Sequence, residues 1–442
     1  MGGARSYPPR MSTSSISGRS PSAPSFSALG LLPGLVRCLD EAHLTEPSPV
    51  QRLCIHAILG GASCLCLAPT GSGKTLAYGL PVLQRLRGIE DAEGMVSTIA
   101  RPRAIILTAT RELVLQTERV LKSMGHGVKQ RVRSVSGGQT ASDTRKQLST
   151  PCEVLVANPQ RLRTLIAAGT VDPSDARIVI VDEADTLLDF GQREDTVSCI
   201  DATPATRQLV LVSATLPEPI RHWALNRPER PSLLEAKDTH KAPSTIQIKN
   251  VRLRWTEKAD VASDILVAIK DPTSRGIGFT NRRETADEVA AALTERGHSV
   301  IVVHGAWLPR ERAAALKRFR AGEGRLLLTT ELGGRGLHIP GLTFVLNYDL
   351  PERPSEYLHR IGRIGRLGPD GKTTSGTVYN FITPNDEIKL KEIERLAQGG
   401  RLDTGEALHA QRARPSKAEA RERGEQRAAV KRTDRRARRP PK

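Results

Sequence analysis

Aromatic residues are scarce in this sequence, whose 442 residues include three Trp, five Tyr and six Phe. A surface that stacks nucleic-acid bases needs exposed aromatic rings, so the scarcity argues against such a platform, and we expect the tryptophans to be packing residues. No apolar run reaches the eighteen residues of a membrane-spanning helix, and the amino-terminal stretch lacks the apolar segment of a secretory signal. We therefore expect neither a membrane-spanning nor a secreted protein.

Cysteine is also sparse and shows no metal-binding pattern. The six cysteines form no Cys-x-x-Cys pair and have no histidine at zinc-finger spacing; they stand at positions 38, 54, 64, 66, 152 and 199. We expect them to be small buried residues in a reducing compartment.

Acidic residues are fewer than basic ones. The chain has 48 Asp and Glu against 66 Lys and Arg, which gives a formal net charge of +18. Such an excess favours an anionic polymer as partner. Residues 411–442 alone hold thirteen basic and four acidic residues. We predict a disordered basic tail over 396–442, which is either a tether for nucleic acid or a solvated tail.

The first 25 residues contain many serines and three arginines but no acidic residue. This composition fits a disordered leader and equally an organelle transit peptide. We expect a cytoplasmic protein, and a mitochondrial or plastid location is the alternative if the leader is a transit peptide.

Short apolar runs alternate with helical patterns along the rest of the chain. The runs are CLCLA (64–68), AIILT (104–108), EVLVA (153–157), RIVIVD (177–182) and QLVLVS (208–213), then GIGFT (276–280), HSVIVV (298–303), RLLLTT (325–330) and TFVLNY (343–348). Such runs between helices are typical of parallel sheets covered on both faces. We predict two tandem α/β domains, at 26–232 and 248–395, joined by a linker at 233–247.

The stretch APTGSGKT (68–75) stands between a predicted strand and a predicted helix, which is the setting of a phosphate-binding loop. Gly71 and Gly73 let backbone N–H groups close around phosphate oxygens at a helix N-terminus. The amine of Lys74 supplies charge to the outer phosphates, and the hydroxyl of Thr75 suits a magnesium ion. We predict a nucleoside triphosphate site here.

Two further motifs fit triphosphate hydrolysis. VIVDEAD (179–185) places Asp182 and Glu183 at the sheet edge where α/β proteins bind ligands. We expect Asp182 to hold the magnesium ion through water, and Glu183 to orient or deprotonate the attacking water. In the second domain HRIGRIGR (359–366) concentrates positive charge, and we expect Arg363 and Arg366 to stabilise the γ-phosphate during its transfer.

In order and spacing these motifs resemble the DEAD-box RNA helicases, over residues 26 to about 390. The resemblance implies two RecA-like domains and ATP as the nucleotide. Implied ATP contacts are Phe26, Gln51, Ala68, Thr70, Gly71, Ser72, Gly73, Lys74 and Thr75, with Phe26 and Gln51 reading adenine. Implied residues that couple hydrolysis to strand separation are Ser213, Thr215, His359 and Arg360.

The resemblance also implies that RNA is held by its backbone on both domains. The implied contacts are Thr110, Arg111, Gly137, Gly138, Arg161, Arg312 and Thr330. Recognition of this kind carries little sequence information.

Three departures from the family pattern bear on these contacts. NPQR (158–161) stands where TPGR is usual, and Pro309 replaces a glutamine, so both affect RNA contact. His338 replaces an aspartate that touches the nucleotide in the family pattern, and we keep it among the nucleotide-binding residues.

We therefore expect a monomeric ATP-dependent RNA helicase that uses ATP and Mg²⁺ to separate short RNA duplexes or to remodel RNA–protein complexes. One alternative is an ATP-gated RNA clamp or assembly factor with little unwinding, which Pro309 and His338 keep open. Another is a DNA helicase of the same superfamily, against which stand the motif of Phe26 and Gln51 and the complete HRIGRIGR.

Overall fold

The structure is a computed structural model that describes residues 25–189, 191–235, 245–305, 307–334, 337, 339–365 and 375–397. Nearly all of the predicted leader and of the predicted tail lies outside these ranges, and so do His338 and Arg366. Among the helices of the described residues, none combines the length and the apolar composition that a membrane-spanning helix needs.

The first domain is a parallel sheet covered by helices. Its strands are β1 (Cys64–Leu67), β2 (Ala104–Leu107), β3 (Val132–Val135), β4 (Val154–Ala157), β5 (Ile178–Asp182), β6 (Gln208–Ser213) and β7 (Ser232–Glu235). They pair in the order β3-β4-β2-β5-β6-β1-β7, with every neighbouring pair parallel. Its helices are α1 (Pro33–Glu41), α2 (Pro49–Leu59), α3 (Lys74–Glu93), α4 (Arg111–Gly125), α5 (Ala141–Gln147), α6 (Pro159–Ala167), α7 (Ala184–Leu187), α8 (Arg193–Asp201) and α9 (Glu218–Leu225).

The second domain repeats this design. Its strands are β8 (Ile246–Arg252), β9 (Arg275–Thr280), β10 (Val300–Val303), β11 (Leu326–Thr330), β12 (Leu342–Asn347) and β13 (Gly376–Ile382). They pair in the order β10-β11-β9-β12-β13-β8, again all parallel. Its helices are α10 (Lys258–Ala268), α11 (Arg283–Glu295), α12 (Pro309–Arg320), α13 (Glu331–Gly334), α14 (Pro354–Ile361) and α15 (Glu387–Ala397).

The two sheets share one topology. Counted along the chain within each domain, the strands of both sheets lie in the order third, fourth, second, fifth, sixth, first, and the first domain adds β7 beyond β1. In a parallel sheet the carboxyl ends of the strands meet at one edge, where open α/β sheets bind ligands. The loops after β1 and β5, and those after β8 and β12, therefore occupy matching places.

Apolar strands form here because both faces of the sheet are covered. In β1, Cys64 and Cys66 belong to one buried cluster and Leu65 to another, as expected when successive side chains point to opposite faces. All four residues of β1 are buried. Burial on both faces fixes the position of the strand and hence of the loop that follows it.

The predicted fold class is confirmed, and each of the nine predicted apolar runs overlaps one strand. Strands β3, β7, β8 and β13 have no predicted run. β7 and β8 are largely exposed, so their sequences are more polar than those of central strands. Because these strands are polar, their sequences were included in the predicted linker at 233–247, whose two ends are strand residues in the structure. Residues 236–244 between them lie outside the described ranges.

Candidate functional site

The phosphate loop connects β1 to α3. Gly71 and Gly73 have φ angles of +80° and +86°, a region that side chains disfavour, so the loop needs glycine at both positions. The amine of Lys74 donates to the backbone carbonyl of Ala68 at 3.0 Å, which folds the lysine across the loop. Thr75 follows it as the second residue of α3. A loop that ends at a helix N-terminus in this way is suited to bind phosphate oxygens.

Helix α2 holds this loop from beneath. The hydroxyl of Ser48 donates to the carbonyl of Ser72 at 2.9 Å, and the side-chain amide of Gln51 donates to the carbonyl of Gly73 at 3.2 Å. Oε1 of Gln51 accepts the N–H of Ser48 at 2.8 Å, which completes a capping box. Gln51 is 4% exposed, so it supports the loop whether or not it also contacts a base.

Phe26 lies before the first helical turn and is 3% exposed. Its side chain belongs to the buried cluster that also contains Ile55 of α2 and Cys66 of β1. The adenine contacts predicted for Phe26 and Gln51 stay predictions.

Asp182 ends β5 and is buried. Its Oδ2 accepts the hydroxyl of Tyr78 at 2.9 Å, and its Oδ1 accepts the N–H of Glu183 at 2.9 Å. Burial raises the pKa of Asp182 to about 6; nearby Lys74 opposes this rise and Glu183 adds to it. Glu183 has a φ of +54° and is half-buried, so a residue with a side chain is held in a strained conformation at the sheet edge.

Thr75 and Asp182 fit a magnesium ion. They offer a hydroxyl and a carboxylate, and Mg²⁺ prefers such oxygen ligands, keeps several waters and takes few protein groups. The raised pKa of Asp182 means that burial destabilises its negative charge, and a cation beside the carboxylate would reverse this effect.

Asp185 joins the two domains. Its Oδ2 accepts the N–H and the hydroxyl of Thr215 at 3.0 and 2.7 Å and lies 3.3 Å from Nε2 of His359 in the second domain. Its backbone N–H donates to Oγ of Ser213 at 3.2 Å, and that hydroxyl donates to the carbonyl of Thr215 at 2.6 Å. Of the four residues predicted to couple hydrolysis to strand separation, Thr215 and His359 meet at this carboxylate, Ser213 accepts from its backbone N–H, and Arg360 bonds within the second domain instead.

Asp185 and His359 each shift the pKa of the other. Burial would raise the pKa of Asp185, but His359 and Thr215 outweigh it and hold the pKa below its ordinary value. Burial would lower the pKa of His359, but Asp185, with Glu183 and Glu331, raises it above its ordinary value. Both shifts favour the charged forms in contact.

The arginines of HRIGRIGR have different surroundings. Arg360 is 1% exposed and donates to the Glu331 carboxylate at 2.8 Å, to the Asn281 side-chain oxygen at 3.2 Å and to the Asp349 carbonyl at 2.6 Å. It therefore braces the sheet edge of the second domain. Arg363 donates to the carbonyl of Leu337 at 3.0 Å.

Helix α14 touches the phosphate loop across the domain boundary. The hydroxyl of Thr70 donates to the carbonyl of Leu358 at 3.3 Å. A Cβ atom on Gly362 would overlap the hydroxyl of Thr70 and lie 2.6 Å from its Cβ, so the contact requires glycine. Arg353 pairs with Asp189 across the same boundary.

The predicted RNA contacts of the first domain lie at the starts of helices and in one exposed turn. Thr110 caps α4, its hydroxyl accepting the N–H of Leu113 at 3.3 Å, and Arg111 is the first residue of that helix. Gly137 and Gly138 are exposed, with Gly138 at a φ of +75°.

Asn158, which replaces the threonine of the family pattern, ties this turn to α6. Its Oδ1 accepts the N–H of Gly137 at 2.9 Å. A Cβ atom built on Gly137 would meet only Nδ2 of Asn158, at 4.0 Å, so the space beside the turn is open and this amide lines it. Arg161, three residues further along, donates to the hydroxyl of Thr144 at 2.8 Å.

In the second domain, Arg312 lies at the boundary with α4. Its Nε is 3.1 Å from the carboxylate of Glu112, and its Nη2 donates to the carbonyl of Gly333 at 3.0 Å. Thr330 ends β11, and its hydroxyl accepts the N–H of Gly333 at 3.3 Å. The RNA contacts predicted on the two domains therefore approach each other at this boundary.

Among the site residues with no predicted role are Tyr78, Asp185 and Asn158. Tyr78 stands four residues after Lys74 and hence one turn further on the same helix face, a spacing that could have indicated it. The partners of Asp185 and Asn158 come from distant parts of the chain, and no local spacing indicates them.

Comparison with known proteins gives consistent matches. The profile of the DEAD/DEAH box helicase family matches residues 48–223, and that of the Helicase conserved C-terminal domain matches residues 257–368. The ATP-dependent RNA helicase CshA of Limosilactobacillus reuteri is 34% identical over 373 residues, 84% of this chain and 72% of that protein. The DEAD-box ATP-dependent RNA helicase RhpA of Helicobacter pylori is 31% identical over 378 residues, with coverage of 84% and 72%.

Among solved structures, S. cerevisiae Dbp5 bound to RNA and ADP BeF3 is similar to this chain. The TM-score is 0.74 at 27% sequence identity, and the match covers 85% of this chain and 94% of that one.

Proposed function

This chain belongs to the DEAD-box ATP-dependent RNA helicases, and from that premise we propose how its residues share the work. The family makes it an ATP-hydrolysing enzyme that unwinds RNA duplexes. The observation that carries our proposal is the contact of Asp185 with His359, because it joins the DEAD sequence of the first domain to HRIGRIGR of the second.

The first domain binds ATP and supplies the groups that act on it. The loop around Lys74 holds the phosphates, and Thr75 and Asp182 hold the magnesium ion, which neutralises phosphate charge when bound. Glu183 orients the attacking water and accepts its proton. Its strained backbone keeps the carboxylate at the sheet edge, where the γ-phosphate would lie.

The second domain completes the site when the cleft closes. Its α14 already contacts the phosphate loop through Thr70, and we assign to Arg363 and Arg366 the charge that stabilises the transferred phosphoryl group. His338 takes a place beside the nucleotide in this proposal. Hydrolysis therefore requires both domains together.

RNA and ATP favour the same closed arrangement. A single strand held by backbone contacts on both domains stabilises closure, and closure completes the ATP site, so each ligand strengthens the binding of the other. Contacts to phosphates make the binding salt-sensitive and largely independent of sequence. The likeness to Dbp5 bound to RNA and ADP BeF3 supports a shared arrangement for both ligands.

A duplex-release assay run beside an ATPase assay tests this proposal. We expect release of short RNA duplexes in the presence of ATP and Mg²⁺, and stronger ATPase stimulation by RNA than by DNA of equal length. The variant Glu183→Gln should bind ATP and RNA but lose at least about a hundredfold in kcat. ATPase activity without duplex release would favour an RNA clamp instead, and equal stimulation by DNA would favour a DNA helicase.

A further inference from the structure

Tyr78 is buried in the ATP site and has no part in the mechanism above. It lies on α3 with 0% of its surface exposed, and its hydroxyl donates to Oδ2 of Asp182 at 2.9 Å. The backbone N–H of Glu183 donates to Oδ1 of the same carboxylate at 2.9 Å. Each carboxylate oxygen of Asp182 therefore has one fixed donor, and neither donor carries a charge.

The second domain provides an internal comparison. Its α10 begins at Lys258 as α3 begins at Lys74, after strands that hold the same place in their sheets. The amine of Lys258 donates to the Asp349 carboxylate at 2.7 Å and to the Tyr348 carbonyl at 2.6 Å. One turn further along, at the position that matches Tyr78, stands Ala262, which has no hydroxyl. There the lysine itself binds a carboxylate, which lies two residues beyond the end of β12.

We propose that Tyr78 is a positioning residue of the ATP site, whose hydroxyl orients Asp182 toward the hydrated magnesium ion and leaves Lys74 to the nucleotide phosphates. A neutral donor fixes the orientation of a carboxylate without the positive charge that would compete with the metal. This inference rests on the proposed assignment of Asp182 to magnesium.

The experiment measures the affinity of the full chain for a fluorescent ADP with and without Mg²⁺. The increase in affinity that the ion provides is the gain that tests the proposal. In Tyr78→Phe we expect this gain to fall about tenfold, as for other donors to metal-binding groups. The matched control is Tyr357→Phe, which removes another buried hydroxyl, one that accepts from Asn380 at 3.0 Å in the second domain. It should leave the gain unchanged.

A purely structural role of Tyr78 would weaken nucleotide binding equally with and without Mg²⁺, so an unchanged gain overturns the proposal. The variant Asp182→Asn separates this failure from that of the proposed function. If Asp182→Asn loses the gain while Tyr78→Phe keeps it, only the role of Tyr78 is wrong. If Asp182→Asn keeps the gain, the assignment of Asp182 is wrong and the inference falls with it.

If Tyr78→Phe does not fold, the wild-type chain still allows a decision. Tyrosine labelled with ¹³C at Cζ reports the hydrogen bond of its hydroxyl, and the chain has only five tyrosines. The Tyr78 signal, identified by single Phe replacements of the other four, should shift when Mg²⁺ is added to the ADP complex. A signal that does not move would overturn the proposal.

Discussion

The two domains share one sheet topology but use the turn after their first strand in opposite ways. In the first domain this turn is a glycine-containing loop, and the amine of Lys74 donates to the Ala68 carbonyl. In the second domain the matching lysine, Lys258, is 1% exposed and hydrogen-bonded to Asp349. Its Nζ lies 4.3 Å from the centre of the Trp255 ring. One turn is open to a ligand, whereas the protein's own side chains fill the other.

The difference shows how one architecture yields a binding site and a structural corner. A buried lysine and carboxylate stabilise each other as a pair, and Lys258 and Asp349 form such a pair at 2.7 Å. In the first domain the carboxylate has neutral donors, and burial raises the pKa of Asp182 to about 6. Lys74 offsets only part of this effect of burial, so a bound cation would stabilise the charge of Asp182 further.

Replacing the two lysines in turn should separate the roles of the two turns most clearly. Lys258→Met leaves the carboxylate of Asp349 buried without its cation, and we expect a loss of about 3–5 kcal/mol in the free energy of unfolding. Lys74→Met should abolish nucleotide binding but change the free energy of unfolding by less than about 1 kcal/mol, because its amine bonds one backbone carbonyl. Chemical denaturation and nucleotide titration of the full chains provide both measurements.

Similar losses of stability in the two variants would contradict this contrast. So would a Lys258→Met chain that is as stable as the wild type, since the second turn would then owe nothing to its ion pair.

The two domains touch where Gly362 approaches Thr70. In Gly362→Ala the new methyl group would overlap Thr70, so the cleft must open, at a cost of about 1–3 kcal/mol, or roughly five- to 150-fold in the closed population. Energy transfer between labels on the two domains, with RNA and an ATP analogue bound, measures closure, and RNA-stimulated kcat should fall with it.

Gly60→Ala is the control for this effect. Both glycines follow a helix with φ near the helical value, −70° at Gly60 and −67° at Gly362, but a Cβ on Gly60 would meet atoms no nearer than 3.5 Å. Equal closure in the two variants would exclude a steric requirement at Gly362.

A smaller effect should follow from pH. The raised pKa of His359 means that its contact with Asp185 contributes fully to closure below about pH 6.5 and is lost as the pH rises through the raised value. The lowered pKa of Asp185 confines the loss on the acid side to strongly acidic solution. Closure should decline above about pH 6.5, by at most about tenfold per pH unit.

The variant His359→Gln should flatten this dependence, measured by the same energy transfer between labelled domains. The control is His298→Gln, which removes a ring that contacts the Ser263 hydroxyl elsewhere in the second domain. This variant should retain the pH dependence of closure. A wild-type profile that is flat from pH 6.5 to 9 would contradict the role of the ion pair.

Much of the fold was predictable because strands that are buried on both faces have nearly continuous apolar sequences. In β6, for example, all six residues are buried. Edge strands have no such continuous apolar run. β8 pairs along one side only, and most of its residues face water, so its sequence matches a polar linker as well as a strand.

The site likewise has features that follow from local sequence and features that depend on distant residues. The phosphate loop and the DEAD sequence could be recognised as candidate site motifs because their chemistry depends on short spacings, as from Gly73 to Lys74. The contact of Asp185 with His359 joins residues 174 positions apart, and its existence depends on how the two domains meet. Asn158 illustrates a third case, since a departure from the family pattern was visible but its partner was not.

That departure leads to the smallest expected effect, in the exposed turn of the first domain that we propose contacts RNA. In Asn158→Ala the N–H of Gly137 loses its acceptor, and we expect RNA affinity to fall by about 0.5–1.5 kcal/mol, or roughly two- to twelvefold. Asn158→Asp keeps an acceptor for Gly137 but places a carboxylate where Nδ2 lined the open space. The loss of RNA affinity in Asn158→Asp should be larger at low salt and shrink as salt screens the repulsion of phosphate. The loss in Asn158→Ala should depend little on salt beyond the wild-type trend.

RNA titrations at several salt concentrations measure both losses of affinity, with ATP affinity in the absence of RNA expected to stay unchanged. Asn226→Ala, which removes an exposed amide bonded to His222, is the matched control. If Asn158→Ala and Asn158→Asp both follow the wild-type salt curve, Asn158 neither orders the turn nor lies beside the RNA backbone.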